Sequence, residues 1–386
     1  MSHPSTPEAV ITGVGETPYL RHATDVTTGG VLADAAVAAV RDAGLAWSDI
    51  DGLAVSSFSL NPDHAIDLAW RLGLNLTWVA DFFTGGASGV DMVRAAARAV
   101  DAGDASAVLV LAGDHFGADA FTAMTADFNT ATRDLLAPLA YGGPNSLFAM
   151  VTDRHMRLHG LAREDYGQVV RAQRAWAAMN PAATYQAPLA VEDYLAAPMV
   201  ATPLTHFDCP PVVSGADAVV VTGPARRARA PRVGIRAIAA SFNSDAQEGD
   251  GLSTGLADIV RDGFWNDAGL DANDCDVLSV YDDYPVVVLA QLQDLGLVED
   301  GGVATFIRGR LAAGGYPLNT SGGQLCAGQA GAGGGLHGLV EVVRQLRGEC
   351  GPRQVDGARL GLVTGYGMVL YRHGASATAA VLEVQS

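Results

Sequence analysis

A layered α/β fold built from two duplicated halves is predicted by three features of this 386-residue sequence. The first is an internal repeat: the stretch from Asp42 to Val55 lies without gaps on the stretch from Asp267 to Val280, an offset of 225 residues (Asp42 onto Asp267). The second is a glycine-rich turn that opens a helical run and then a strand in each half. Residues 85–89 precede a run at 90–100 and a strand at 107–112, and residues 331–335 precede a run at 336–346 and a strand at 359–364. A glycine turn feeding a helix that packs under the next strand sets helices on sheet faces. The third is the Pro-flanked, Arg-rich run 223–232 between two apolar segments, 218–222 and 233–240, which reads as a connector between halves or as an ordinary surface loop; the repeat decides for the connector.

In chain order, the first half spans residues 1–222, the connector 223–232 and the second half 233–386. In each copy of the repeat an Ala/Val/Leu-rich segment of helical spacing, 32–40 or 256–264, ends at a glycine, Gly44 or Gly269. An acidic turn and a strand follow. Residues 141–203, with helical stretches at 145–159 and 164–179, have no counterpart in the second half. They read as an insertion able to cap a site between the halves.

Composition narrows the chemistry. The chain is 49% hydrophobic and 17% charged, enough to bury a large core. With 24 basic and 42 acidic residues its net charge of −18 repels nucleic acid and anionic membrane surfaces. All 24 basic residues are arginine; there is no lysine. Schiff-base aldolases, pyridoxal-phosphate enzymes and Walker-type phosphate loops are therefore excluded, because guanidinium cannot replace the amine as nucleophile. Four cysteines without a Cys-x-x-Cys pair point to a reducing, cytosolic setting. No basic-then-apolar leader and no apolar run of about 20 residues is present.

Several local motifs resolve toward structure. Gly331-Ala332-Gly333-Gly334-Gly335 could offer amides to an anion, but it is not the dinucleotide fingerprint, and no Gly-x-Ser-x-Gly elbow occurs. His155 and His159 stand four apart, as a metal site would need, yet an Arg-rich solvated helix face explains them as well. Cys326, in a Gly-rich stretch, and Cys209, before two prolines, read as structural thiols.

The stretch from Tyr316 to Gly334, with Asn319-Thr320-Ser321-Gly322-Gly323 followed by Gly328-Gln329-Ala330-Gly331, resembles the Asn-x-x-Gly-Gly and Gly-His-Pro-x-Gly-Ala-x-Gly stretches of the thiolases. Tyr281-Asp282-Asp283-Tyr284 occupies the place of the family's His-Asp-Ala-Phe-type motif, 208–221 resembles the end of its first half, and 291–301 its Leu-x-Asp-Leu-Gly segment. The similarity spans nearly the whole chain and is strongest toward the sterol-carrier, lipid-transfer branch. It implies the thiolase fold: two duplicated mixed-sheet halves in five α-β-α-β-α layers, with a loop domain inserted in the first half.

The departures from the family decide the chemistry. Phe82-Phe83-Thr84-Gly85-Gly86-Ala87-Ser88-Gly89 has no acyl-accepting cysteine; Gly86, or with a gap Thr84, stands in its place. Gln329 replaces the Gly-His-Pro histidine, keeping an amide donor. Tyr366, in Thr364-Gly365-Tyr366-Gly367-Met368, replaces the second cysteine. A pocket that has lost its nucleophile, retained donors and gained a phenol suits making and quenching an enolate.

The resemblance therefore implies retro-aldol cleavage of a β-hydroxyacyl-CoA, closest to the thiolase-like aldolases that shorten steroid side chains to a 17-ketosteroid and propionyl-CoA. Tyr366 is the first catalytic candidate and Tyr316 the second. Asn319, Gln329, Tyr281, Asp282 and Gly367 are expected around the oxyanion and pocket. Asn319 and Gln329 either donate to the enolate oxygen or organise the glycine-rich loops, and no residue stands out as the general base. No separate cofactor or metal is expected, CoA being part of the substrate. A homodimer of thiolase type and a complex with a small zinc-ribbon/OB-fold protein are implied too. The alternatives are a silent acyl-CoA- or lipid-binding homologue, and an acyltransferase using Cys326.

Overall fold

The computed structural model describes residues 6–116, 118–139, 142–226, 228–244, 252–299, 301–370 and 373–385. The first insertion residue, Tyr141, and Arg227 of the connector lie outside the described residues. Among the described residues eleven strands form: β1 (Val10–Glu16), β2 (Gly52–Ser56), β3 (Trp78–Asp81), β4 (Ala107–Asp114), β5 (Met199–Ala201), β6 (Leu204–Thr205), β7 (Gly215–Thr222), β8 (Val233–Phe242), β9 (Val277–Ser279), β10 (Leu360–Leu370) and β11 (His373–Val384). In the first half and insertion run α1 (Thr28–Ala43), α2 (His64–Leu72), α3 (Ser88–Ala102), α4 (Ala118–Ala126), α5 (Pro144–His159), α6 (Arg163–Ala177) and α7 (Val191–Ala196). The second half carries α8 (Leu256–Arg261), α9 (Phe264–Ala268), α10 (Pro285–Asp294), α11 (Val303–Thr305), α12 (Gly323–Ala327) and α13 (Gly334–Arg347).

The duplication is visible in the hydrogen bonds. α1 ends at Gly44 (φ 70°) and α9 at Gly269 (φ 64°), left-handed positions where a Cβ would be strained. Five residues past Gly44, Asp49 accepts the Ala46 amide at 2.9 Å, and at the same offset Asp274 accepts that of Asp271 at 2.7 Å. Each turn then feeds a strand, β2 or β9. In the first half the strand order is β3-β2-β4-β7-β1; in the second, β9-β10-β11-β8 repeats the last four positions. The senses match as well: β2 is parallel to β4 and β9 to β10, while the other pairs within each set of four are antiparallel.

The two half-sheets meet edge to edge through a short antiparallel pairing, Val10 with Gly234 and Ile11 with Val233, making one nine-stranded sheet. α3 and α13, the two helices opened by glycine turns, pack on each other so closely that a Cβ on Gly89 would lie 1.9 Å from the Gly335 carbonyl oxygen. Their apolar faces, including Val90, Met92, Val93, Leu336, Leu339 and Val343, bury a common core. A second core lies under α1 and α2, and a third joins the second half to α5 and α6 of the insertion. Both glycine turns thus point at one place, where the helix pair begins. No helix among the described residues is long and apolar enough to cross a membrane.

Candidate active site

A cavity of about 280 Å³ opens at the start of the paired helices. Gly85 and Gly86 come from the turn before α3; Tyr281, Asp283 and Tyr284 from the turn after β9; Gln329 and Gly331 from the turn before α13; and Tyr366 and Gly367 from β10. Helix α5 adds Asn145, Leu147 and Phe148, so the insertion walls one side.

Tyr281 is the centre of the site. Its backbone is held at both ends: the amide donates to Thr364 Oγ1 at 3.1 Å, and the carbonyl accepts from Gln291 Nε2 at 2.5 Å. Thr364 donates in turn to Gln291 Oε1 at 2.6 Å, which closes the frame. The ring, so aimed, lies where a side chain on Gly86 would be: a Cβ there would stand 2.1 Å from Tyr281 Cζ and 2.5 Å from its hydroxyl. The phenol fills the space directly over Gly86, and glycine is required beneath it.

Around the phenol sits a polar cluster. Gln329 Nε2 donates to the Tyr281 hydroxyl at 3.3 Å and to Asp283 Oδ1. The Tyr281 hydroxyl donates to Asp283. The Gln329 backbone is pinned between Pro211 and Val213, at 2.9 and 3.1 Å. Burial pushes the Asp283 carboxyl up to about 7; the Tyr281 hydrogen bond pulls it down and the neighbouring Asp282 charge adds to the rise. Burial, then the Asp283 charge, raises the Tyr281 phenol well above its usual value. Asp283 is thus a carboxylate poised near neutrality and bonded to a phenol, the arrangement a general base needs.

Tyr366 faces the same cavity from β10. Burial raises its hydroxyl above the usual value, while the backbone N–H of Gly374 donates to the phenolic oxygen. No acceptor among the described residues takes its proton, so the hydroxyl is free to donate into the cavity. Gly367 brings bare backbone to the wall; a Cβ there would meet the Thr84 carbonyl oxygen at 2.3 Å.

The other expected residues stand behind the cavity. Asp282 points away from it, accepting the Gln324 and Leu325 amides at the start of α12 at 2.9 and 3.2 Å and Gln173 Nε2 at 2.6 Å. It holds a helix end, and the adjacent Asp283, not singled out in the sequence, lines the pocket instead. Asn319, at φ 50°, accepts the Val280 amide at 2.9 Å and so organises the turn that carries Tyr281. Tyr316 is remote from the cavity: its ring meets Phe306 edge-on at 5.3 Å and lies under the Arg310 guanidinium. Cys326 is fully buried among Ala177, Ala183 and Leu325, and burial pushes its thiol up to about 12. Cys209 does reach the cavity wall, with its thiol also raised to about 12 by burial. The histidine pair reads as structural: His155 Nδ1 bonds the Tyr166 hydroxyl at 2.7 Å, and burial lowers the ring to about 4.

Among the described residues one group has metal-ligand spacing, Glu16, Asp217 and His337, with ligand atoms within 4.8 Å of one another. Arg344 already pairs with Glu16, and Tyr19 donates to Asp217 at 2.6 Å, so the cluster carries its own cation and donor.

The base form of Asp283 fixes the expected pH dependence. Its native carboxyl is raised, so activity is lost as pH falls through about 7 and recovered above it. For stability the sign is opposite: a raised native carboxyl binds its proton more tightly folded than unfolded, so its contribution is greatest in acid and lost as pH climbs from about 4 to 7. A kcat/KM profile of the wild type should show an acidic limb near 7, and Asp283→Asn should lower the rate and abolish that limb. A limb unchanged in Asp283→Asn would remove Asp283 from the role of base.

A family model described as "Thiolase C-terminal domain-like" matches residues 242–382. The chain is 33% identical over 362 residues to the 17-hydroxy-3-oxo-4-pregnene-20-carboxyl-CoA lyase of Mycobacterium tuberculosis, covering 88% of this chain and 92% of the relative. It is 31% identical over 359 residues to the steroid side-chain-cleaving aldolase of Thermomonospora curvata, covering 88% and 90%. The solved Ltp2-ChsH2(DUF35) aldolase superposes with a TM-score of 0.82 at 28% identity, over 98% of both chains. The chain belongs to the thiolase superfamily, in the branch that holds its steroid side-chain aldolases.

Proposed function

We propose that the chain cleaves a β-hydroxyacyl-CoA by a retro-aldol reaction, its substrate a 17-hydroxy steroid side-chain thioester and its products a 17-ketosteroid and propionyl-CoA. The observation that carries this reading is the Tyr281 ring packed over Gly86, in a cavity that holds an acid/base cluster and no activated thiol.

The steps follow from the cluster. Asp283, through the Tyr281 phenol, takes the proton of the substrate's β-hydroxyl. The Cα–Cβ bond breaks, the alkoxide becomes the ketone, and the bonding pair passes to the thioester as an enolate. Tyr366 protonates the α-carbon, releasing propionyl-CoA. The proton held by the Tyr281–Asp283 pair then restores Tyr366, so none is gained or lost over a turnover. CoA enters as part of the substrate, and no further cofactor has a role in these steps.

The acyltransferase alternative needs Cys326, which lies outside the cavity with its thiol raised. Cys326→Ala is expected to retain cleavage, and Tyr366→Phe to lose it by about 10²-fold or more. Release of propionyl-CoA from the hydroxylated steroid thioester reads both. Binding of that thioester by the wild type without turnover would overturn the reaction and leave a silent acyl-CoA-binding homologue.

Two assemblies belong to this reading. The name of the solved neighbour joins an aldolase chain to a DUF35 protein; we infer that this chain works with a small zinc-ribbon/OB-fold partner of that kind, in the cytosol. A homodimer would use β3, one of the two edge strands of the large sheet, beside the exposed Val79, Phe83, Ile66 and Trp70.

A further inference from the structure

We propose that the segment 121–132 is the wall that reads the acyl group, with Phe121, Met124 and Phe128 setting which thioester is accepted; this rests on the retro-aldol reading. The cavity-facing residues of the segment are Phe121, Met124, Thr125, Phe128 and Thr132. Phe121, Met124 and Thr125 share one face of α4, and Phe128 and Thr132 reach the same cavity from the turn and the next helical stretch after it. The opposite face, with Thr122, Ala123 and Ala126, is exposed, as is Leu135 beyond it. The side chains presented to the cavity are thus bulky and apolar on a segment that has solvent on its other side.

The catalytic groups come from elsewhere, the turns after β9 and before α13 and the strand β10. The segment brings no titratable side chain to the cavity; its two threonine hydroxyls are its only polar side-chain groups there. Such a wall cannot match the phosphates of CoA or the amides of its arm, and it fits a flat, apolar, fused-ring acyl group. Its attachments are few. Asn129 Nδ2 donates to the Val369 carbonyl at 3.0 Å, the Phe58 and Phe128 rings lie 6.0 Å apart, and Phe116 meets Phe121 edge-on at 5.7 Å. Phe58 is itself placed by Asp114, which accepts its amide at 2.8 Å. An unbranched methionine between two aromatics lets such a wall adapt to ring shape.

The test compares two thioesters, a hydroxylated steroid-CoA and a short, branched β-hydroxyacyl-CoA, with the chain in complex with its partner. In Phe121→Ala/Met124→Ala the ratio of kcat/KM for the steroid to that for the short substrate should fall by about 10- to 100-fold. The milder Phe128→Leu should move it the same way by a smaller factor. An unchanged ratio, whether both rates fall together or neither does, overturns the wall. The same ratio measured as Kd in a Tyr366→Phe background, where chemistry is disabled, reads the wall without turnover. A selective loss of steroid binding there, with a wild type that cleaves neither thioester, would keep the wall and sink the retro-aldol reading.

Discussion

Tyr281→Phe is expected to lower kcat by about 10³-fold with little change in KM or in thermal stability. The ring, which fills the volume above Gly86, is retained, so packing is preserved. Gln329 Nε2 keeps Asp283 as acceptor and is not left buried without a partner. What disappears is the hydroxyl between Asp283 and the substrate. Asp283→Asn should cost a similar factor, and the double variant little more than either single change, because the two groups move one proton as a unit. Steady-state release of propionyl-CoA and a thermal melt of each variant decide the matter. A Tyr281→Phe enzyme within threefold of the wild-type kcat would take the phenol out of the reaction, and a large loss of melting temperature would show that the hydroxyl serves packing.

The duplicated fold was legible because its determinants are local. Gly44 and Gly269 end helices in left-handed positions, and Asp49 and Asp274 take the same amide in each copy. The glycine turns at 85–89 and 331–335 announced a helix in each half; that the two helices pack on each other with no room for a Cβ appears only in the structure. The joining of the half-sheets was not legible, since the pairing of Val10 and Ile11 with the start of β8 leaves no pattern beyond two ordinary strand ends. At the site, the position of Tyr366 on the cavity could be read from the sequence, but that Tyr281 lines the cavity and Tyr316 does not could not. Tyr281 is placed in the cavity by its approach to Gly86, a contact between opposite halves, whereas Tyr316 beside the glycine-rich turn faces Phe306 and Arg310. Asp282 and Asp283 are chemically identical neighbours on one turn, and only the direction of each side chain separates a helix-end acceptor from the carboxylate in the cavity. The wall at 121–132 carries no polar signature at all, and its role appears only when its face is seen opposite the catalytic groups.

Gly86→Ala, a change of one methyl group, should remove activity as completely as loss of the phenol. The added Cβ would stand 2.1 Å from Tyr281 Cζ, so one of the two must move. The Tyr281 backbone cannot yield easily, being held by Thr364 and Gln291, and Gly86 is confined by the turn that meets Gly365 and Gly367. The ring is therefore driven off its place beside Asp283 and Gln329, and overpacking of this kind costs about 1–3 kcal/mol. A double-mutant cycle separates clash from chemistry. Tyr281→Ser alone leaves a void above Gly86, and Gly86→Ala alone leaves a collision, but together they accommodate each other. The pair should thus be more stable than the sum of the single effects implies, by about 0.5–3 kcal/mol, while remaining inactive. Melting and activity measured on all four proteins test both halves of this claim. Additive stabilities, or a Gly86→Ala enzyme that still turns over, would mean that the phenol does not occupy the space over Gly86.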